Sequence, residues 1–454
     1  MADTVSGFPF WVLAFDEEGG LRDFPGTEQS LREIAAADLS DLFVFSHGWN
    51  NDSAAAKSLY EGFFNEVKKI LDAPPGPLKR PAKIGVAGVF WPSILWPDTP
   101  PPSPRPAAAA GAAGGGAASL APAPAPAAGT PEIFAALRTV FTDDGQKPIL
   151  DELETLLTEK KRDEAALRRF KELLGELVAP TDLGDTPDGL EGESLTGNAD
   201  DWKQVFNALA NQERGAASMG GGGAAGLGDA FSRLWQGAKG ALRAATYYQM
   251  KGRAGVVGKT GLGPVLGNLH AAAPALRIHL LGHSFGARLV SYALSGLPAV
   301  PAGGASPIKS LFLLQGAFSH FTFADALPFD KTRKGELAGM ASQVDGPLLT
   351  TQSLKDLAVG TAYPLASIVA RQDNAAAQDA NYRWEAMGHD GAQAVDAVKA
   401  PLGRPGTVYP FATGKWVNLD GNRVIVNGGP PAGAHSDILH PETAWAALAA
   451  AGIG

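Results

Sequence analysis

Apolar and polar positions alternate in two textures along the chain. The first is a series of short, almost continuous apolar runs that stop at Gly, Ser, Asn or Asp. They are Phe10 to Phe15 (FWVLAF), Leu42 to Ser46 (LFVFS), Ile84 to Trp91 (IGVAGVFW), Leu276 to Gly282 (LRIHLLG), Ser310 to Gln315 (SLFLLQ) and Ala366 to Arg371 (ASIVAR). Runs of this length without polar alternation predict strands covered on both faces, the mark of a mostly parallel sheet. Between them apolar residues return at helical spacing: Leu59, Phe63, Val67 and Ile70, then Leu289, Val290, Ala293 and Leu294. The second helix should stop at Gly296, with Pro298 just beyond. Strand alternating with helix predicts a doubly wound α/β sheet.

The second texture interrupts this rhythm. From Thr99 to Pro131 the chain is Ala, Pro and Gly with the single charge Arg105, a composition with nothing to bury that reads as a disordered or polyproline-like excursion. Leu150 to Val178 is densely charged, with Leu153, Leu156, Leu157, Leu167, Phe170, Leu173, Leu174 and Leu177 on one stripe, which predicts an amphipathic helix or helical hairpin. Its acidic and basic residues balance, so packing on its own domain is favoured over a membrane surface. A glycine-rich loop, Met219 to Gly228, precedes another helical pattern around Phe231, Leu234, Leu242 and Tyr248. The expected organisation is a core in two parts, 1–98 and 246–454, separated by an insertion at 99–245. Within the insertion, 99–131 is a low-complexity linker and 132–245 a mainly helical cap or lid.

Composition narrows the function. The chain has 454 residues, 45% of them hydrophobic, enough for a large core. Lys plus Arg is 38 against 47 Asp plus Glu, a net charge of −9 that argues against nucleic acid as a partner. With no cysteine, disulfides, zinc–thiolate sites and a cysteine nucleophile are excluded. The first residues show no signal-peptide pattern, and no run of about 18 apolar residues predicts a membrane span. A soluble, cytoplasmic protein is the expectation, with export by a signal-less route left open.

The most informative stretch is Leu280 to Val290, LLGHSFGARLV. Gly282-His283-Ser284-Phe285-Gly286 fits G-x-S-x-G, an apolar strand runs into it and a helix leaves it. A serine hydroxyl is a weak nucleophile at neutral pH and must be presented to a base and a substrate together. A sharp strand-to-helix turn does this, with flanking glycines permitting the strained backbone, while the N–H groups that begin the helix face the developing oxyanion.

On these residues, and on FVFSHGWNN (Phe43 to Asn51), the chain resembles the α/β-hydrolase superfamily, and within it an esterase- or lipase-like branch whose third strand ends in H-G-W-N. The resemblance spans roughly Pro9 to Pro97 and Ala245 to Pro441, and the insertion lies outside it. It implies an α/β-hydrolase fold and an oxyanion hole formed by the backbone N–H groups of Phe285 and Trp49. The motif here is H-G-W where many esterases have H-G-G-G. His47 and Trp49 read either as site residues or as a packed loop beneath the site. Separately, no H-E-x-x-H, H-x-H or C-x-x-C pattern and no G-x-G-x-x-G after a strand is present, so no metal and no cofactor are expected.

A serine hydrolase needs a histidine to take the proton and a carboxylate to orient it, in chain order Ser, acid, His for this fold. Four histidines follow Ser284: His320, His389, His435 and His440. A late strand or hairpin at Val417 to Asn427 precedes the loop holding His435, which sits where the resemblance puts the base. His440 reads as a cap of the last helix, and His320 as a pocket wall or a satisfied histidine. For the acid, Asp373 falls just past the apolar run Ala366 to Arg371; Asp379, Asp345 and Asp437 are the alternatives. His283 packs beneath the elbow or touches substrate. Trp91 and Trp96 line an acyl pocket or bury the root of the insertion. Gly252 to Gly261 mimics a P-loop, but Arg253 stands where glycine is required, so glycines at a helix end are the simpler account.

The expectation is therefore a serine hydrolase acting on a small-molecule or lipid carboxylic ester. Ser284, His435 and Asp373 form its triad, Phe285 and Trp49 its oxyanion hole, and His47, Trp91 and His283 border the substrate. Two other readings stay open: a non-catalytic interaction protein on the same scaffold, and a phospholipase-type toxin delivered to another cell.

Overall fold

Five of the six apolar runs lie in strands of one sheet. The computed structural model describes residues 3–76, 78–93, 129–178, 202–215, 227–298, 305–361, 385–429 and 432–454. The strands are β1 (Asp3–Val5), β2 (Phe8–Ala14), β3 (Asp41–Ser46), β4 (Ile84–Phe90), β5 (Arg277–His283), β6 (Ile308–Leu314), β7 (Leu348–Gln352), β8 (Ala397–Pro401) and β9 (Trp416–Asp420). Their order across the sheet is β1-β2-β4-β3-β5-β6-β7-β9-β8. Only the β1–β2 pair is antiparallel.

Alternation along each strand feeds two cores, one on each face. Leu42 and Val44 of β3 enter the cluster that also holds Leu289 and Val290, while Phe43 and Phe45 enter the cluster with Phe63, Phe64 and Trp445. Burial on both faces explains why the central strands carry no polar stripe. Helices cover each side: α1 (Phe24–Ala36) and α2 (Ser53–Asp72) before β4, and the final Pro441–Ala450 helix packed beside α2.

Between β4 and β5 every described element is helical. These are α3 (Thr130–Leu137), α4 (Gln146–Glu159), α5 (Glu164–Leu177), α6 (Trp202–Gly215), α7 (Leu227–Val256), a π-helical turn (Val257–Leu262) and α8 (Gly263–Ala272). The charged stripe forms two helices, α4 and α5, parted at Lys160 with φ 47°. Its leucines and Phe170 turn inward. The glycines at 252–261 do not end a helix, as the sequence suggested: α7 continues through the π turn into α8. They permit a close crossing against α9 (Phe285–Gly296), since a Cβ on Gly258 would stand 2.2 Å from the Leu289 carbonyl oxygen. Arg253, buried, donates to the carbonyls of Pro92 and Val140 at 3.0 Å each and ties these helices to the end of β4.

Helix α9 ends at Gly296 as expected. Two differences matter. The late apolar stretch is a strand only over Trp416–Asp420, followed by turns. Strands β7 and β8 have no counterpart in the apolar runs. The run at 366–371, Trp96 and most of 99–131 lie outside the described residues.

Candidate active site

Ser284 stands between β5 and α9 with φ 59° and ψ −123°, a conformation that costs a non-glycine residue about 1–3 kcal/mol. Three backbone bonds hold it there. Its N–H donates to the Leu314 carbonyl at 3.1 Å, and its carbonyl accepts from Ala287 at 3.1 Å and Ala317 at 3.3 Å. The flanking glycines are required by space. A Cβ on Gly282 would lie 2.3 Å from the Gly286 carbonyl oxygen, and one on Gly286 would lie 2.1 Å from that of Ser46.

The loop after β3 presses on this turn. A Cβ on Gly48 would stand 2.5 Å from the Ser284 Cβ and 3.1 Å from its Oγ, so only glycine lets the loop come this close. Asn51 pins it by donating from Nδ2 to the carbonyls of Gly48 at 3.1 Å and Trp49 at 2.9 Å. Tyr60 Oη accepts from the His47 N–H at 3.0 Å and donates to the Val89 carbonyl at 2.6 Å. Among the described residues, the backbone N–H groups of Trp49 and Phe285 are not engaged by another protein group.

The imidazole of His435 meets a carboxylate: its Nδ1 lies 2.7 Å from Asp356 Oδ2. Both residues are buried. The turn after β7 and the histidine loop are joined by backbone, with Leu357 N–H on the Ala432 carbonyl at 3.1 Å and Ala434 N–H on the Lys355 carbonyl at 2.8 Å. Asp356 Oδ1 accepts from the backbone N–H of Ala358 at 3.1 Å, and Oδ2 also accepts from Gln315 Nε2 at 2.9 Å. Both oxygens of this buried carboxylate therefore have hydrogen-bond donors, which offsets the cost of taking it out of water.

The carboxylate on His435 is thus Asp356, where the sequence pointed to Asp373; Asp373 and Asp379 lie outside the described residues. Asp356 follows a strand, β7, which the apolar pattern does not reveal. Asp437 is occupied elsewhere, accepting from the N–H groups of Val426 and Asn427 at 2.8 and 2.7 Å and lying 3.0 Å from His440 Nε2. Asp345 pairs with Lys309. His440 is the N-cap residue of the last helix.

His47, Trp91 and His283 are all buried. His47 stacks on Trp91 with centroids 5.6 Å apart, and the Trp91 indole donates to the His47 carbonyl at 3.0 Å. His283 Nε2 lies 2.9 Å from the His435 carbonyl oxygen, which ties the residue before Ser284 to the backbone of the histidine, with the two rings 5.0 Å apart. Burial lowers His47 to about 4; burial and then the nearby His435 lower His283 to about 3. Both rings are neutral at pH 7. An aromatic group borders the elbow: Tyr247 of α7 lies 4.7 Å from the Phe285 ring and 6.0 Å from that of Trp49.

A second titratable cluster lies in the same loops. His320 Nδ1 is 2.8 Å from both oxygens of Asp390, and His389 Nδ1 is 3.7 Å from Glu385. Among the described residues, His320, Glu385 and Asp390 are the one group whose possible metal-donor atoms lie within 4.8 Å of one another. The His320–Asp390 hydrogen bond by itself accounts for the closeness of those two.

Two residues escaped the sequence reading, Asp356 and Gln315. The signal available for Asp356 was the run LLTTQ at 348–352 followed by a polar turn. Comparison with protein-family models, with curated proteins and with solved structures finds no match to this chain. No helix among the described residues is long and apolar enough to cross a membrane.

Proposed function

We propose that this chain is a serine hydrolase of the α/β-hydrolase fold that cleaves carboxylic esters through Ser284, Asp356 and His435. The observation that carries the reading is the backbone of Ser284. A strained φ of 59° is held between strand and helix, flanked by two glycines that admit no side chain, although it costs a serine about 1–3 kcal/mol. Its use is to lift a hydroxyl off the end of the sheet. The buried His435–Asp356 pair supports the same reading, and the chain order Ser284, Asp356, His435 is that of the fold.

In this reaction Ser284 Oγ attacks the carbonyl carbon while His435 Nε2 takes its proton. Asp356 keeps the proton of His435 on Nδ1 and stabilises the imidazolium that forms. The N–H groups of Phe285 and Trp49 receive the oxyanion. His435 then returns the proton to the leaving alcohol, and water, activated by the same ring, releases the acid. The neutral His283 and His47 place no opposing charge beside the imidazolium. Trp49, Tyr247 and Phe285 favour an apolar acyl group, hence an esterase- or lipase-like substrate.

A fluorophosphonate probe tests the assignment. Wild-type protein is expected to label at Ser284, and Ser284→Ala to lose both the label and hydrolysis of p-nitrophenyl esters. Folded wild-type protein that takes no label would leave a non-catalytic scaffold as the better account. Phospholipid vesicles run beside the p-nitrophenyl series separate a lipid substrate from a soluble one.

A further inference from the structure

We infer that Gln315 is a positioning residue that, through Asp356, sets how strongly His435 holds its proton. The inference rests on the hydrolase reading for its role in catalysis. Gln315 Nε2 has two protons and both are spent, one on Asp356 Oδ2 at 2.9 Å and one on the Gly388 carbonyl at 2.9 Å. The first of these is the same oxygen that receives His435 Nδ1. Turning the amide over would aim Oε1 at a carboxylate and a carbonyl, so the donor orientation is the one the surroundings permit.

The protein goes to some length to keep this side chain in place. Gln315 has φ 46°, a left-handed conformation for a fully buried non-glycine residue. Its backbone N–H leaves the strand ladder and donates to Thr351 Oγ1 at 2.9 Å. Gly388 is a glycine because a Cβ there would stand 2.7 Å from the Gln315 carbonyl carbon, and the close approach brings the Gly388 carbonyl to Nε2. Among the described residues the buried Gln315 Oε1 atom has no hydrogen-bond partner, a cost with no return if the residue only filled space.

The consequence has a sign. A donor on Oδ2 withdraws negative charge from the oxygen that steadies the imidazolium of His435. Without it the imidazolium is favoured, and His435 protonates at higher pH. Among the described residues, the other titratable groups facing the pair are His283 from the elbow and His389 from the Met387–Asp390 helix, and both remain in the variants below.

The test is Gln315→Met, which keeps approximate shape and removes both donors. Histidine-labelled protein is titrated by long-range 1H–15N NMR, with His435 assigned from its absence in His435→Gln. The His435 midpoint is expected to rise by about one pH unit, a roughly tenfold change in proton affinity. The acid limb of kcat/KM should move with it, and plateau kcat should fall with KM little changed. A folded variant whose His435 titration and kcat match wild type overturns the inference, even if its Tm has dropped, because a filler residue would move only the Tm. If Gln315→Met does not fold, the wild-type protein decides. Its Gln315 side-chain N–H signals should resist exchange and shift as His435 titrates, and free exchange or no response overturns the inference. A moved midpoint in a protein with no Ser284-dependent hydrolysis would leave the Gln315 coupling standing and remove the hydrolase reading instead.

Discussion

Asp356→Asn is the substitution with the sharpest expected outcome, because its neighbours fix what an amide would meet. The wild-type carboxylate accepts on Oδ2 from His435 Nδ1 at 2.7 Å and Gln315 Nε2 at 2.9 Å, and on Oδ1 from the Ala358 N–H at 3.1 Å. With its NH2 in the Oδ2 place, asparagine points a donor at the Gln315 amide and forces His435 Nδ1 to accept. The ring proton then sits on Nε2, where it cannot take one from Ser284. With its NH2 in the Oδ1 place, the tautomer survives, but two donors meet and the negative charge opposite the imidazolium is gone. Either orientation removes transition-state stabilisation while substrate binding is untouched.

Loss of the orienting carboxylate in a triad costs about 10³–10⁴ in kcat, or roughly 4–5 kcal/mol of barrier. The expected result is that fall in kcat for p-nitrophenyl esters with KM within about twofold. The donor-to-donor clash that either orientation leaves should also lower stability by about 1–3 kcal/mol, so rates are referred to the folded fraction. Asp373→Asn, made in parallel, should keep wild-type turnover. Near-normal kcat in folded Asp356→Asn, or a collapse in Asp373→Asn instead, would refute the assignment of the acid.

Gly286→Ala should destabilise the fold by about 3 kcal/mol or more in urea titration, because its Cβ meets backbone 2.1 Å away, whereas Gly145→Ala, with open space around it, should stay within about 1 kcal/mol. Equal effects would mean that the elbow is not tightly packed. Acid should weaken the fold through His47 and His283, whose folded values of about 4 and about 3 lie below the ordinary imidazole value. Their stabilisation is full above the unfolded value of about 6.5 and is lost as pH falls toward the folded values, on the order of 1 kcal/mol per ring per pH unit. A urea midpoint unchanged between pH 7 and about 4.5 contradicts this.

Those parts of the fold and site that are written locally were legible in the sequence. The elbow needs a strand, two glycines and a helix within eleven residues, and Leu280 to Val290 carries all of them. The central strands are buried on both faces and so read as apolar runs. β8 (AVKAP) is an edge strand, with three of its five residues exposed and a proline at its end, and has no such signature. The helices between β4 and β5 were legible as amphipathic stripes. Their continuity through 252–263 was not, because the glycines there serve a helix crossing that depends on residues more than thirty positions away, such as Leu289.

Asp356 was hidden in the sequence for a physical reason that also explains Gln315. β7 reads LLTTQ, and its Thr350 and Thr351 are fully buried, although threonine pairs in a sequence suggest an exposed edge. Thr351 is buried because its hydroxyl takes the N–H that Gln315 withdraws from the ladder. That withdrawal goes with the left-handed turn from which the Gln315 amide reaches Asp356, 41 positions on, and Asp356 in turn meets His435, 79 further on. The polarity that disguises β7 as a loop therefore belongs to the same arrangement that holds the carboxylate.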